Sequence, residues 1–181
     1  MTGCSGAEFG ARCFLDGWDP DTGAHLWRRY TVPGPGEKFH ETWQPSESYL
    51  HGGASTWITG SYDPELDLMY WGTGNAAPYN PEKRRGDNLY AASIIAVRPK
   101  TGEIVWHYQA VPNDIFDWDT VWEIILADIP VNGQLRKVAM QMNRNGFLYV
   151  LDRATGELLS AKAFTQVNWA THVDMIGRAH V

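Results

Sequence analysis

Cysteine is nearly absent: the 181 residues hold two, Cys4 and Cys13. Two cannot build a multi-bridge framework, their spacing fits no metal-site pattern, and no C-x-x-C-H run offers a haem attachment point. They stand as two ordinary thiols or one bridge. Positive charge is also short, with 15 Lys and Arg against 21 Asp and Glu for a net charge of -6. That excludes nucleic acid as the main partner, because phosphate binding needs clustered Lys and Arg. No apolar run is long enough for a bilayer-spanning helix. Met1-Thr2-Gly3-Cys4-Ser5-Gly6 carries neither the basic nor the apolar region of a signal peptide. Helical periodicity is scarce: only Thr120–Ala127 admits a helical turn, and its Val, Ile and Trp suit a strand equally.

What the chain has instead is tryptophan and glycine, nine and 18. That balance favours short strands, tight turns and large packing side chains. A repeat is visible. Trp18-Asp19-Pro20-Asp21-Thr22-Gly23-Ala24-His25-Leu26-Trp27 recurs over residues 97–106, ending in Trp106, and again over 151–160, without the closing Trp. Each copy predicts strand, turn, strand, with Gly free to take positive φ and Asp or Thr bonding nearby backbone. Asp67–Gly72 and Ala92–Val97 predict further strands. Val138–Met142 and Phe147–Leu151 flank Asn145-Gly146, a strong hairpin signal. The Pro- and Gly-rich stretch from Thr31 to Ser48 predicts a long loop.

Strand pairs repeating with a Thr-Gly turn and a closing Trp predict radial repetition. The expected fold is all-β, a partial β-propeller of about three blades. Three blades cannot close a ring, so residues 1–181 are expected to be an internal fragment of a single propeller domain; a complete small β-sandwich is the alternative. Three motif matches fall away. Gly72-Thr73-Gly74-Asn75-Ala76-Ala77 fits a dinucleotide fingerprint, but Pro78 and Pro81 prevent the helix it must open. Gly3-Cys4-Ser5-Gly6-Ala7 lacks the final Gly and preceding strand of a nucleophile elbow. Asp117-Trp118-Asp119 lacks the obligatory Gly of an EF-hand, Trp122 standing in its place.

Six motifs then occur in a specific order: Gly6-Ala7-Glu8-Phe9-Gly10, Gly72-Thr73-Gly74-Asn75, Gly86-Asp87-Asn88-Leu89-Tyr90, Asp114-Ile115-Phe116-Asp117-Trp118-Asp119, Asn143-Arg144-Asn145-Gly146 and Val167-Asn168-Trp169-Ala170-Thr171-His172. Together they span nearly the whole chain and resemble the pyrroloquinoline quinone (PQQ)-dependent alcohol dehydrogenases of the methanol and ethanol dehydrogenase type, quinoproteins with eight-bladed propellers. The Thr-Gly-x-x-x-Trp repeats resemble that family's tryptophan-docking motifs. The resemblance implies metal ligands at Glu8, Asn75 and Asp117, with Asp117 also the catalytic base. It implies cofactor contacts at Ser5, Gly6 and Ala7, at Ser55 (where the family often has Thr), at Trp57 stacked on the quinone, and at Arg144 near its carbonyls. Asp87 is expected to be a structural turn residue, and Asn168-Trp169 receives no role. The family's adjacent-cysteine disulfide is absent, and Cys13 stands where Gly is usual, which puts local packing there in question.

The donor chemistry agrees with those roles. Glu8, Asn75 and Asp117 offer only oxygens, as a hard cation prefers. A cation polarises a quinone carbonyl, Asp117 takes the alcohol's proton, Arg144 stabilises developing negative charge and Trp57 offers a flat apolar face. Asp119, two residues past the base, adds a further carboxylate and points to a lanthanide ion, with Ca²⁺ as the alternative. The resemblance implies oxidation of a primary alcohol to an aldehyde by hydride transfer to metal-bound PQQ. It also implies a periplasmic location, a small alcohol substrate, a cytochrome c electron acceptor, a full-length enzyme able to form a homodimer, and a fragment inactive alone. The rivals are a non-catalytic propeller scaffold, which has no need of Glu8, Asn75 and Asp117 together, and a calcium-dependent quinoprotein sugar dehydrogenase.

Overall fold

The computed structural model describes residues 1–174 and 179–180. Strands β1 (Phe14–Trp18) and β2 (His25–Tyr30) pair with each other; β3 (Ser61–Asp63), β4 (Leu68–Gly72), β5 (Ser93–Val97) and β6 (Ile104–Gln109) form one antiparallel sheet in sequence order. β7 (Ile125–Val131), β8 (Gln134–Met142), β9 (Phe147–Asp152) and β10 (Leu158–Ala163) form a second, and β11 (His172–Val173) pairs with β12 (Ala179–His180). Among the described residues helix is limited to short 3-10 turns, and no helix is long and apolar enough to cross a membrane.

The strands follow their chemistry. In β9, Phe147, Tyr149 and Leu151 are buried while Leu148, Val150 and Asp152 are half-buried, the alternation of a sheet with one face inward. β5 (Ser-Ile-Ile-Ala-Val) is buried throughout. Ile94 and Ala96 pack into the cluster shared with Tyr149 and Leu151 of the next sheet, while Ile95 and Val97 pack with Leu15 and Trp71. A strand covered on both faces reads as a continuous apolar run. The Asn145-Gly146 hairpin forms as expected: Gly146 has φ +95°, its N–H donates to Asn143 O at 3.0 Å, and Met142 pairs with Leu148. Of Thr120–Ala127, residues 120–124 are irregular backbone and residues 125–127 open β7.

The repeat turns join the sheets. Asp19 Oδ1 accepts the Asp21 and Thr22 N–H groups at 3.0 and 2.8 Å, and Asp152 Oδ1 accepts those of Ala154 and Thr155 at 2.9 and 3.1 Å. Trp27 lies over the next copy's turn, donating Nε1–H to Pro99 O at 2.9 Å; a Cβ at Gly102 would sit 2.5 Å from its ring. Trp106 repeats this on the third copy, with Arg153 O at 3.2 Å and 2.7 Å to a Cβ at Gly156. Glycine is thus required twice over, by positive φ (+70° and +79°) and by the indole. Ion pairs add to the sheet contact: buried Arg153 donates to buried Asp63 Oδ2 on β3 and to the exposed Asp128 Oδ1 on β7, both at 2.6 Å. Burial alone would raise the Asp63 pKa; the hydrogen bonds from Glu65 N–H, Arg153 and Leu66 N–H outweigh it and hold the carboxyl below its ordinary value.

The Thr31–Ser48 stretch is largely irregular, as expected, but it is anchored. Trp43 is fully buried and donates Nε1–H to Leu89 O at 2.5 Å, and 3-10 turns occupy His40–Thr42 and Ser46–His51. Cys4 and Cys13 form a disulfide, and the packing question at Cys13 resolves with its side chain fully buried against that bridge.

Candidate functional site

The candidate residues come from five connecting segments. Ser5–Glu8 precedes β1, Ser55–Trp57 precedes β3, Asn75 follows β4, Asp117–Asp119 lies between β6 and β7, and Arg144 lies between β8 and β9. Folding brings Ser5, Gly6, Glu8, Ser55, Trp57, Asp117 and Asp119 around one open cavity of about 230 Å³. Ala7 is fully buried beneath them. Asn75 joins through its backbone, whose N–H donates to Asp119 Oδ1 at 2.7 Å, and Arg144 joins through an ion pair to Asp117 Oδ2 at 3.6 Å.

Local backbone explains each placement. Gly6 and Gly10, at φ +98° and +76°, bracket the 3-10 turn that carries Glu8. Gly74 has no room for a side chain, since a Cβ there would lie 2.5 Å from Ser55 Oγ and 2.7 Å from Asp119 Oδ1. Asp117 itself adopts φ +61°, a conformation Asp tolerates better than most residues. Buried Asp114 imposes it by accepting the Phe116 and Trp118 N–H groups at 2.8 and 2.7 Å. Trp118 packs on Trp169 at 4.7 Å between ring centroids, and Trp169 donates Nε1–H to Asn145 O at 2.8 Å. The residue left without a role in the sequence thus braces the Asp117 loop. Asp87 is a loop residue whose carbonyl accepts Asn113 N–H and Gln109 Nε2–H.

Two further residues, in none of the six motifs, belong to this site. Tyr79 donates its hydroxyl to Asp117 Oδ1 at 3.2 Å and reaches Glu8 Oε1 at 3.5 Å. Its position four residues past Asn75 was the only available signal. Arg84 is fully buried and donates to the carbonyls of Pro78, Tyr79 and Asp114, at 2.5, 3.3 and 2.6 Å, tying the Tyr79 loop to the Asp114 loop. Nothing in its sequence context marks it.

The cavity is electrostatically negative. Burial, first, and the charge of Asp117 push Asp119 up to about 6, against the opposing hydrogen bond from Asn75. Burial and then Asp117 push Tyr79 up to about 12. Among the described residues no three His, Cys, Asp and Glu side chains are gathered as a ready metal cluster. The three carboxylates ring the cavity, and the backbone N–H of buried Asn75 bonds to one of them. An all-oxygen set with excess negative charge fits a hard cation, which would relieve both shifts. The exposed face of Trp57, edge-on to Trp122 at 6.4 Å, suits a flat ring.

Antiparallel sheets docked indole onto glycine, carrying an acidic cavity walled by an indole, are the architecture of a β-propeller segment. The profile described as "PQQ: Glucose/ethanol/alcohol dehydrogenase, beta-propeller domain" matches residues 7–167, and the chain belongs to this family. It is 47% identical over 188 residues to the quinohemoprotein alcohol dehydrogenase ADH IIB of Pseudomonas putida, covering 97% of this chain and 27% of the relative. It is 40% identical over 195 residues to the lanthanide-dependent methanol dehydrogenase of Methylorubrum extorquens, covering 97% and 32%. The solved quinohemoprotein alcohol dehydrogenase ADHIIG of Pseudomonas putida superposes with a TM-score of 0.93 at 44% identity, covering 99% of this chain and 28% of that one. The chain therefore spans about a quarter to a third of the length of these relatives.

Proposed function

We propose that this chain is a segment of a single propeller domain in a periplasmic PQQ-dependent alcohol dehydrogenase that oxidises a primary alcohol to an aldehyde, and that it supplies the metal-ligand and base side of the active site. The observation that carries this is the cavity in which Glu8, Ser55, Trp57, Asp117 and Asp119 meet, with Asn75 and Arg144 bonded to its carboxylates.

When bound, PQQ supplies a two-electron acceptor and the cation polarises its carbonyl. Asp117, partly exposed beside the cavity, takes the hydroxyl proton of the alcohol. Arg144, paired with Asp117 at 3.6 Å, offers a cation to oxygens gaining charge. Trp57 forms an apolar wall, and Ser5, Gly6, Ala7 and Ser55 shape the remaining cofactor contact. Glu8, Asn75, Asp117 and Asp119 hold the ion. Asp119 raises the negative charge of that set, which favours a trivalent lanthanide over Ca²⁺; a lanthanide-dependent relative 40% identical to this chain supports that choice. The full-length enzyme passes electrons to a cytochrome c and forms a homodimer, and this segment alone is inactive.

The test uses full-length apoprotein with PQQ and a panel of primary alcohols. Activity is expected with La³⁺ or Ce³⁺. Activity with Ca²⁺ alone sinks the lanthanide assignment, and no alcohol oxidation with any cation sinks the enzyme assignment.

A further inference from the structure

The segment carrying Glu8 is held in an unusual way. Its two ends are stitched to one stretch of backbone. Cys4 N–H donates to Thr56 Oγ1 and Thr56 N–H to Cys4 O, both at 2.8 Å; Cys13 N–H donates to Gly53 O at 3.1 Å, and Gly53 N–H to Ala11 O at 2.9 Å. Residues 53–56 lead directly into Trp57. Between these anchors the turn is held by Phe9 N–H to Gly6 O and Gly10 N–H to Ala7 O, at 3.0 and 3.1 Å, and by His51 Nδ1 against Gly10 O at 2.8 Å. Glu8 is exposed, with Tyr79 at 3.5 Å as its hydrogen-bond partner among the described residues. A short turn flanked by two glycines and bearing an exposed carboxylate has much freedom to lose. The Cys4–Cys13 disulfide removes it by closing Ser5–Arg12 into a covalent ring, with Cα atoms 5.4 Å apart.

The two sulfurs differ in access. Cys13 is fully buried. Cys4 is half-buried and lines a cavity with Ser5, Thr56 and Trp57. A small thiolate entering there meets Cys4 first, and exchange rates depend on such access.

We propose that the Cys4–Cys13 disulfide is a covalent clasp that positions Glu8 for a hard cation, and that thiol–disulfide exchange at Cys4 opens it and weakens cation binding. This rests on the cation reading given above. Opening balances with a dithiol as reductant. One thiolate attacks Cys4 Sγ, the disulfide breaks and Cys13 leaves as thiolate. The second thiolate then displaces Cys4 and closes the reagent into a cyclic disulfide. The reagent loses two electrons, and both cysteines gain a proton from solvent.

The experiment uses full-length protein and Eu³⁺ alone as probe. Peptide mapping under non-reducing conditions is expected to find Cys4 joined to Cys13; both alkylated in the native protein would overturn the clasp. Eu³⁺ luminescence titrations compare oxidised protein, protein reduced with dithiothreitol and desalted, and reoxidised protein. Affinity is expected to fall about tenfold on reduction, in the range seen when groups supporting a ligand are lost, and to return on reoxidation. The Cys4→Ala/Cys13→Ala variant should show the same loss without reduction, and unchanged circular dichroism separates positioning from unfolding. Equal affinity in both redox states overturns the proposal alone. Eu³⁺ bound in neither state overturns the cation reading beneath it.

Discussion

Asp117 holds two properties that pull apart under substitution. Its backbone is left-handed at φ +61°, and its carboxylate meets Tyr79 and Arg144. Asn tolerates that backbone and keeps the side chain's shape, but it is no base. Asp117→Asn in the full-length enzyme should therefore fold with an unchanged thermal midpoint and lose about 10²–10⁴ in kcat, the usual worth of a positioned base. A loss below tenfold would assign the base elsewhere. At this scale the sequence was uneven as a guide. Glu8, Asn75, Asp117 and Asp119 stand in short ordered motifs, whereas Ser55 and Trp57 are marked only by their place in the resemblance; the structure brings these segments together, and their roles are those proposed above. Tyr79 and Arg84 were not. Tyr79 matters through an approach of chain segments 38 and 71 residues apart, and Arg84 through carbonyl groups that any sequence supplies.

At the scale of elements, the repeat turn offers an internal comparison. Gly23 and Gly156 occupy equivalent positions with φ +70° and +79°. A Cβ at Gly156 would lie 2.7 Å from Trp106, whereas one at Gly23 meets nothing within 4 Å. Gly23→Ala should cost only the left-handed backbone penalty, about 1–2 kcal/mol. Gly156→Ala should cost that plus the displacement of an indole, and the difference between their urea midpoints in the full-length protein measures the docking contact. Equal midpoints would mean that the indole yields freely. The turns, the hairpin and the strands were legible because their signals are local. The two-sided burial of β5 was visible only as an apolar run, since a run does not say which neighbours cover it. The anchoring of the Thr31–Ser48 stretch by Trp43 was hidden, because its partner, the Leu89 carbonyl, carries no side-chain signature.

Across the whole molecule, charge placement sets the acid limit. Asp63, buried between two sheets with Arg153, has its pKa held low by hydrogen bonds that outweigh burial. Asp16 is lowered by the Arg28 hydrogen bond, and Asp152 by the Arg136 and turn hydrogen bonds against burial. Groups with depressed folded pKa values stabilise fully above the unfolded value, about 3.9, and that stability is lost as pH falls through the folded values. Urea midpoints of the full-length protein should thus drop steeply below about pH 4. Asp63→Asn should flatten the drop while costing stability at neutral pH, because Arg153 loses its buried carboxylate and keeps only the exposed ones of Asp128 and Glu65. A midpoint independent of pH from 5 to 2 would contradict this.

The segments that line the cavity or bond to its carboxylates flank strands of separate sheets and meet only when those sheets dock. Whatever occupies the cavity therefore binds the docked arrangement and not the separated one. Occupancy and assembly are thermodynamically linked: each tenfold rise in free ligand above its Kd adds about 1.4 kcal/mol to the folded state. Saturating ligand would act as a keystone, and substitutions that loosen sheet docking would surface first as weakened ligand affinity, before any change in fold content.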